Sequence, residues 1–359
     1  MSRFLSAALT ALTPYVPGEQ PKDMDRLIKL NTNELPYPPS PRALAALNQP
    51  LGASLRLYND PDATALRSAL AGELGVSPAQ VLCTNGSDEA LAFAMYAFAD
   101  RALGVRYADV TYGFYPVLCK LFGIPATVCP LKEDLTVDPD AYIGTEECVF
   151  LANPNAQTGL FLPLFEVERI IASSPRRVVV VDEAYVDFGG ESAVSLLPKY
   201  DNLLVVRTFS KSRALAGLRV GFAVGSPALI GDMEAVRRSF HPYNVGTVAQ
   251  AVAKGSVEDR EYFQSTVRAV ILTRERFKAE AARLGCVCTD SMANFVALSH
   301  PAVEGRALYE ELRTRGILVR YFAEPRVAHT VRISIGTPEQ MERLILALTE
   351  ILSPKGDTL

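Results

Sequence analysis

From about residue 80 onward, short apolar runs rich in Val, Leu and Phe alternate with longer stretches of helical period, a pattern that predicts crossover units on a mostly parallel sheet. The predicted strands are QVLCTN (80–85), CVFLAN (148–153), RVVVVDE (177–183), NLLVVRTF (202–209) and VGFAVG (220–225). Each is apolar at consecutive positions, so each is expected to be buried on both faces beneath helices. From about 227 to 275 helical period persists across a break at His241-Pro242-Tyr243-Asn244, which predicts long helices linking two domains. The runs CVCTDSMANFVALS, GILVR and TVRISIG and the closing helix PEQMERLILALTEIL suit a smaller α+β domain. The Pro-rich opening, with PYVPGEQP and ELPYPPSP, reads as an extended arm lying across other structure. The expected organisation is an arm over 1–40, a large α/β domain over 41–265 with a mostly parallel central sheet flanked by helices, and a small α+β domain over 266–359 joined to it by the arm.

A chain of 359 residues has enough material for two such cores, and 49% hydrophobic with 21% charged residues describes an ordinary folded protein. The formal net charge of −4 supplies no basic footprint for nucleic acid, so no nucleic-acid partner is expected. The longest apolar runs, such as the four valines at 178–181, are too short to span a bilayer, and the N-terminal segment lacks the apolar core of a signal peptide. A cytoplasmic protein without a membrane partner is expected. The six cysteines form no CxxC pair and no His stands at ligand spacing, so neither a metal site nor a disulfide scaffold is indicated. Cys286 and Cys288 fall on one face if their stretch is a strand, where they read as small buried hydrophobes.

The segment TFSKSRALAGLRVG (208–221) carries the most chemistry. A lysine just past a buried strand is desolvated, which lowers its pKa and makes it an amine able to attack an aldehyde; Lys211 stands there. Thr208, Ser210 and Arg219 around it offer two hydroxyls and a guanidinium fork, a set suited to a phosphate. Asp182 ends another apolar strand, at the sheet edge where open α/β proteins place ligands, and a carboxylate there pairs with a pyridinium N–H. Tyr185 follows within reach of a phenolic oxygen on the same ring. In TNGSDEAL a strand end passes through Gly86 into a helix whose first amides, at Ser87 and Asp88, form an anion site. Tyr112 in VTYGFYP is placed to stack on a flat heteroaromatic ring. Each feature alone has an ordinary explanation as a solvated lysine, a helix cap or a packed aromatic; their co-occurrence in one chain points to chemistry.

In this order these segments resemble the fold-type I pyridoxal-phosphate aminotransferases, whose architecture is that of aspartate aminotransferase, and within them the histidinol-phosphate aminotransferase family. The resemblance runs through PYVPGEQP, KLNTNELPYPPSP, RLYNDPDATALRSALA, NGSDEAL, NPNAQTG, DEAY, TFSKSRALAGLRVG, PYNV and RISIGT. It implies pyridoxal 5′-phosphate bound as an imine on Lys211, with Asp182 on the ring nitrogen, Tyr185 on the phenolic oxygen and Tyr112 stacked on the ring. Ser87 and Asp88, Thr208, Ser210 and Arg219 would then hold the phosphate, and Tyr58 would reach the cofactor of a neighbouring subunit, which requires a homodimer. Arg332 matches the arginine that takes the substrate α-carboxylate, while Arg320, Tyr15, Asn33 and Tyr243 match positions lining the side-chain end of the pocket.

Two departures bear on function. The usual NNPTG turn is NAQTG here, so Ala156 stands where an asparagine normally bonds the phenolic oxygen; Asn155 reaching in from one position earlier, Tyr185 serving alone, and an altered cofactor pKa are the alternatives. NELP replaces the common NENP in the arm. The implied activity is ping-pong transamination, from histidinol phosphate or another amino donor to 2-oxoglutarate. Aromatic aminotransferase and threonine-phosphate-decarboxylase chemistry are the alternatives on the same scaffold. A non-catalytic nucleotide-binding protein is the alternative from another class, and neither GxxxxGK[ST] nor a strand-borne GxGxxG is present to favour it.

Overall fold

The computed structural model describes residues 3–6, 9–10, 12–21, 27–48 and 52–353. Its strands are β1 (Ile28–Lys29), β2 (Val81–Thr84), β3 (Val105–Ala108), β4 (Ala126–Cys129), β5 (Cys148–Ala152), β6 (Val179–Asp182), β7 (Leu203–Thr208), β8 (Gly221–Gly225), β9 (Val287–Cys288), β10 (Phe295–Ser299), β11 (Ile317–Leu318), β12 (Arg320–Tyr321) and β13 (Val331–Ser334). All five predicted strands are present, one to three residues shorter than their predicted runs. β3 and β4 are additional. Arg106 interrupts the apolar run of β3, and β4 lies at the sheet edge with three of its four residues exposed, so neither shows a continuous apolar signal.

Seven strands form the main sheet in the order β2-β8-β7-β6-β5-β3-β4. Successive residues of a strand face opposite sides, and the core divides accordingly: Val179 and Val181 pack on one side of the sheet, with Val149 and Val205, while Val180 packs on the other with Phe150 and Leu204. Burial on both faces is what the uninterrupted apolar runs require. β8 is antiparallel to both neighbours, and β3, β4, β5, β6 and β7 are mutually parallel. Because β2 and β7 are each antiparallel to β8, they point the same way. The carboxyl ends of β2, β3, β5, β6 and β7 therefore open at one edge of the sheet.

A smaller antiparallel sheet has the order β12-β13-β10-β9. Helices Pro227–Phe240, Thr247–Glu258 and Arg260–Arg283 lie between the two sheets in sequence, and the chain break predicted at 241–244 separates the first two. The domain boundaries expected at 40/41 and 265/266 fall just before the helix Pro41–Leu47 and inside Arg260–Arg283. A capping box between Thr337 and Gln340 starts the last helix, Pro338–Leu352. Cys286 is buried and Cys288 half-buried, and both thiols are free. The arm is tied down: β1 pairs in parallel with β11, the Asn33 amide donates to Ser334 Oγ at 2.8 Å, and Asn294 Nδ2 donates to Asn33 O at 3.0 Å. Among the described residues no helix is long and apolar enough to cross a membrane.

One close approach fixes the geometry of the sheet edge. A Cβ at Gly221 would lie 2.4 Å from the Ser87 amide nitrogen and 2.5 Å from the Gly86 carbonyl carbon, so β8 can press against that turn only with glycine there. Gly221→Ala is expected to destabilise the fold by about 1–3 kcal/mol through overpacking and to displace the 86–88 turn; urea denaturation checks the first effect and cofactor titration the second.

Candidate active site

At that edge a cavity of about 420 Å³ gathers residues from both sheets and the arm. The register places Asp182 at the end of β6, level with Ala152 on β5 and Val206 on β7. Its carboxylate is buried, with Oδ1 accepting from the Ala184 amide at 3.2 Å and Oδ2 accepting from the Tyr115 hydroxyl at 2.9 Å. Burial pushes its pKa up to about 6, against the lowering effect of those two hydrogen bonds.

Lys211 enters three residues beyond the end of β7. Its Nζ donates to Thr32 O at 3.0 Å and sits 5.7 Å from the centroid of the Tyr185 ring. Burial, helped by the nearby positive charge of Arg332, brings this ammonium down to about 8. The Tyr185 hydroxyl accepts from Asn33 Nδ2 at 3.0 Å, so the arm orients the phenol beside the lysine.

Anion-binding groups cluster at one end. Gly86 adopts φ +79° before the helix Ser87–Phe98, and a Cβ there would lie 2.5 Å from Arg219 Nη2. Arg219, itself at φ +56°, donates to Ser210 Oγ and to Asp88 Oδ2, each at 3.1 Å. The Ser210 amide donates to Thr208 Oγ1 at 3.1 Å. The result is a cup formed by a helix N-terminus, a guanidinium and two hydroxyls. Tyr112 leans over the cavity with its hydroxyl donating to Asp88 Oδ1 at 2.8 Å, and Tyr15 packs edge-on to it at 6.1 Å.

The opposite wall holds Arg332, whose Nη1 donates to Ala156 O at 2.9 Å and whose guanidinium lies 5.2 Å from the Phe295 ring and 5.1 Å from the Phe322 ring. Arg320 joins it from β12, 5.3 Å from Phe322.

Thirteen of the seventeen sequence-identified residues line this cavity, and four do not. Gly86 stands directly behind the cup. Asn155 requires a correction: its Nδ2 donates to Val110 O at 2.8 Å and its Oδ1 accepts the Gln157 and Thr158 amides at 2.9 and 3.1 Å, so the side chain is consumed in holding its own turn and does not reach into the cavity. Tyr58 and Tyr243 stack on each other at 4.4 Å on the protein surface, outside this chain's cavity. Sequence reasoning missed Tyr115, Thr32 and Phe322. Tyr115 was in plain view in VTYGFYP, but nothing in that motif says which tyrosine turns toward β6.

The donor set fits pyridoxal phosphate. A phosphate matches the cup, a protonated ring nitrogen matches a buried carboxylate that otherwise lacks a cation, and an aldehyde matches a lysine with depressed pKa. Fold and site together define a pyridoxal-phosphate-dependent aminotransferase of fold type I, and comparison with known proteins agrees. The sequence model of aminotransferase class I and II matches residues 25–348. Histidinol-phosphate aminotransferase from Aromatoleum aromaticum is 50% identical over 98% of this chain and 100% of its own length, and histidinol-phosphate aminotransferase 2 from Rhizobium meliloti is 48% identical over 98% and 100%. The crystal structure of histidinol-phosphate aminotransferase from Sinorhizobium meliloti in complex with pyridoxal-5′-phosphate superposes with a TM-score of 0.86, at 25% identity and 98% coverage of both chains. The chain belongs to the class I and II aminotransferases, in their histidinol-phosphate aminotransferase family.

The pKa of Asp182 has a consequence for the cofactor-free protein. Between pH about 4 and about 6 the folded chain holds a proton on Asp182 that the unfolded chain has released, so stability falls as pH rises through that window, by about 3 kcal/mol at most. Asp182→Asn is expected to flatten this slope and to leave the cofactor-free protein more stable at neutral pH while weakening cofactor binding. Urea titrations across the window test it; an unchanged slope would contradict the assignment.

Proposed function

We propose that this chain is a homodimeric cytoplasmic enzyme that transfers the amino group of histidinol phosphate to 2-oxoglutarate in a ping-pong cycle. The observation carrying the choice of donor is the pair Arg320 and Arg332 on one wall of the cavity. Burial pushes the Arg332 guanidinium down, and the positive charge of Arg320 adds to that, so an anion bound beside the pair would be stabilised. A phosphorylated amino alcohol brings a phosphate to that wall, and 2-oxoglutarate brings carboxylates to the same place in the second half-reaction. Phenylalanine, with one carboxylate and a hydrocarbon ring, leaves half of this charge unmatched. The full-length relatives near 50% identity that bear the histidinol-phosphate aminotransferase name support the same choice.

Pyridoxal phosphate, when bound, supplies the carbonyl that takes up the amino group and the ring that delocalises charge as the α-carbon loses its proton. The residues of the chain do the rest. Lys211, with a pKa of about 8, is poised as a base near neutrality; its amine takes the proton from the substrate α-carbon and returns it as an acid. Asp182 holds the ring nitrogen protonated, Tyr185 serves the phenolic oxygen in the absence of an asparagine at 156, and Tyr112 covers one ring face. The amides of Ser87 and Asp88, with Thr208, Ser210 and Arg219, hold the cofactor phosphate. Tyr58, 82% exposed, is offered to the cofactor phosphate of the partner subunit, and its surroundings include Leu55 and Leu57, also exposed, as a dimer surface would have them. Tyr243 stacks on it and so bears on the partner's site.

Lys211→Ala is expected to abolish turnover and the visible absorbance of the lysine-bound cofactor; a fully active variant would overturn the assignment. Histidinol phosphate, phenylalanine and phosphothreonine, each assayed with 2-oxoglutarate, are expected to give the highest kcat/KM for histidinol phosphate and no carbon dioxide. Arg320→Ala should lower that kcat/KM roughly 10- to 100-fold, the size of one lost charged hydrogen bond. Preference for phenylalanine, or release of carbon dioxide from phosphothreonine, would contradict the proposed donor.

A further inference from the structure

Tyr115 has no part in the cycle described above, yet it touches the residue on which the cofactor ring depends. It opens the helix Tyr115–Phe122, is fully buried, and is walled by Tyr107 at 5.9 Å, Tyr112 at 5.8 Å and Phe150 at 5.6 Å. Its hydroxyl donates to Asp182 Oδ2 at 2.9 Å. We infer that Tyr115 is a positioning residue: its hydroxyl, held by the aromatic walls, keeps the Asp182 carboxylate ionised and aimed at the ring nitrogen.

The argument is one of donors and repulsions. Burial favours a neutral Asp182, and so do the negative charges of Asp88, from the start of helix Ser87–Phe98, and of its own neighbour Glu183. Tyr185 and Tyr112, which also face the cavity, are themselves pushed up by burial and remain neutral phenols. Lys211 lines the same cavity from the segment that follows β7. Against this, the carboxylate receives two hydrogen bonds, from the Ala184 amide to Oδ1 and from Tyr115 to Oδ2. Only the second comes from a side chain. The Tyr115 phenol is itself held well above its ordinary pKa by burial and by Asp182, so it remains a donor throughout the working range. Its aromatic walls leave the ring no second seat, which fixes the rotation of the carboxylate as well as its charge.

The inference rests on the reading of Asp182 as the partner of the ring nitrogen, and the test separates the two. Pyridoxal phosphate binding to the cofactor-free protein is measured by absorbance titration from about pH 5.5 to about pH 8.5 for the wild type, Tyr115→Phe and Asp182→Asn. Phenylalanine retains the packing and removes only the donor. Tyr115→Phe, by raising the pKa of Asp182 about one unit, is expected to bind the cofactor about eightfold more weakly near pH 5.5 and about threefold near pH 6.5, with the gap closing toward pH 8.5. Incorporation of 3-fluorotyrosine at 115 keeps the shape and makes the hydroxyl a stronger donor, so its binding profile is expected to move in the opposite direction, toward lower pH; this variant also decides the matter should Tyr115→Phe not fold. Wild-type profiles for both Tyr115 substitutions alongside weak binding by Asp182→Asn would overturn the role of Tyr115 while leaving Asp182 in place. Wild-type binding by Asp182→Asn would remove the foundation of both.

Discussion

The site depends on desolvating two opposite charges at the ends of neighbouring strands. β6 and β7 run parallel, buried on both faces, and deliver Asp182 and Lys211 to the same edge of the sheet. In water a carboxylate and an ammonium would each be ionised and indifferent to a neutral ring. Here burial raises one toward 6 and lowers the other toward 8, so each is close to releasing or accepting a proton near neutrality. The protein carries this strain until a ligand with a cationic ring nitrogen and an electrophilic carbon lies between them.

The other parts of the fold can be understood as support for that arrangement. β8, inserted antiparallel, turns the chain back at Arg219 so that its guanidinium meets the N-terminus of the helix Ser87–Phe98, and Gly86 and Gly221 leave the room this needs. The arm contributes backbone as much as side chains: Thr32 O accepts from Lys211, and Asn33 orients Tyr185. The small sheet supplies the arginines, with Arg320 and Arg332 directly opposite each other on β12 and β13. Adjacent registration of two cations is unfavourable without a counter-charge, which is why that wall calls for an anionic substrate.

Much of this was legible from the sequence because buried strands and strand-end chemistry leave strong local marks. Five apolar runs located the central strands, and TFSKSRALAGLRVG, DEAY and NGSDEAL placed the lysine, carboxylate and anion cup at their ends. What was not legible depends on side-chain direction. Asn155 has the right residue type for a cofactor ligand, yet its Oδ1 holds the amides of its own turn and its Nδ2 donates to Val110 O. Tyr112 and Tyr115 are three residues apart in one motif, but only the helix start at 115 sends the second ring beneath the sheet edge to Asp182. β3 and β4 escaped notice because Arg106 interrupts the apolar run of the first and three of the four residues of the second, at the sheet edge, are exposed.

Borohydride reduction of the purified yellow holoenzyme, followed by peptide mapping, asks most directly whether amine and carboxylate face the same ring. A stable pyridoxyl adduct confined to the peptide carrying Lys211, and lost in parallel with the visible absorbance when Asp182 is replaced by Ala, is the predicted result. An adduct on another lysine, or a colourless protein that traps none, would contradict it.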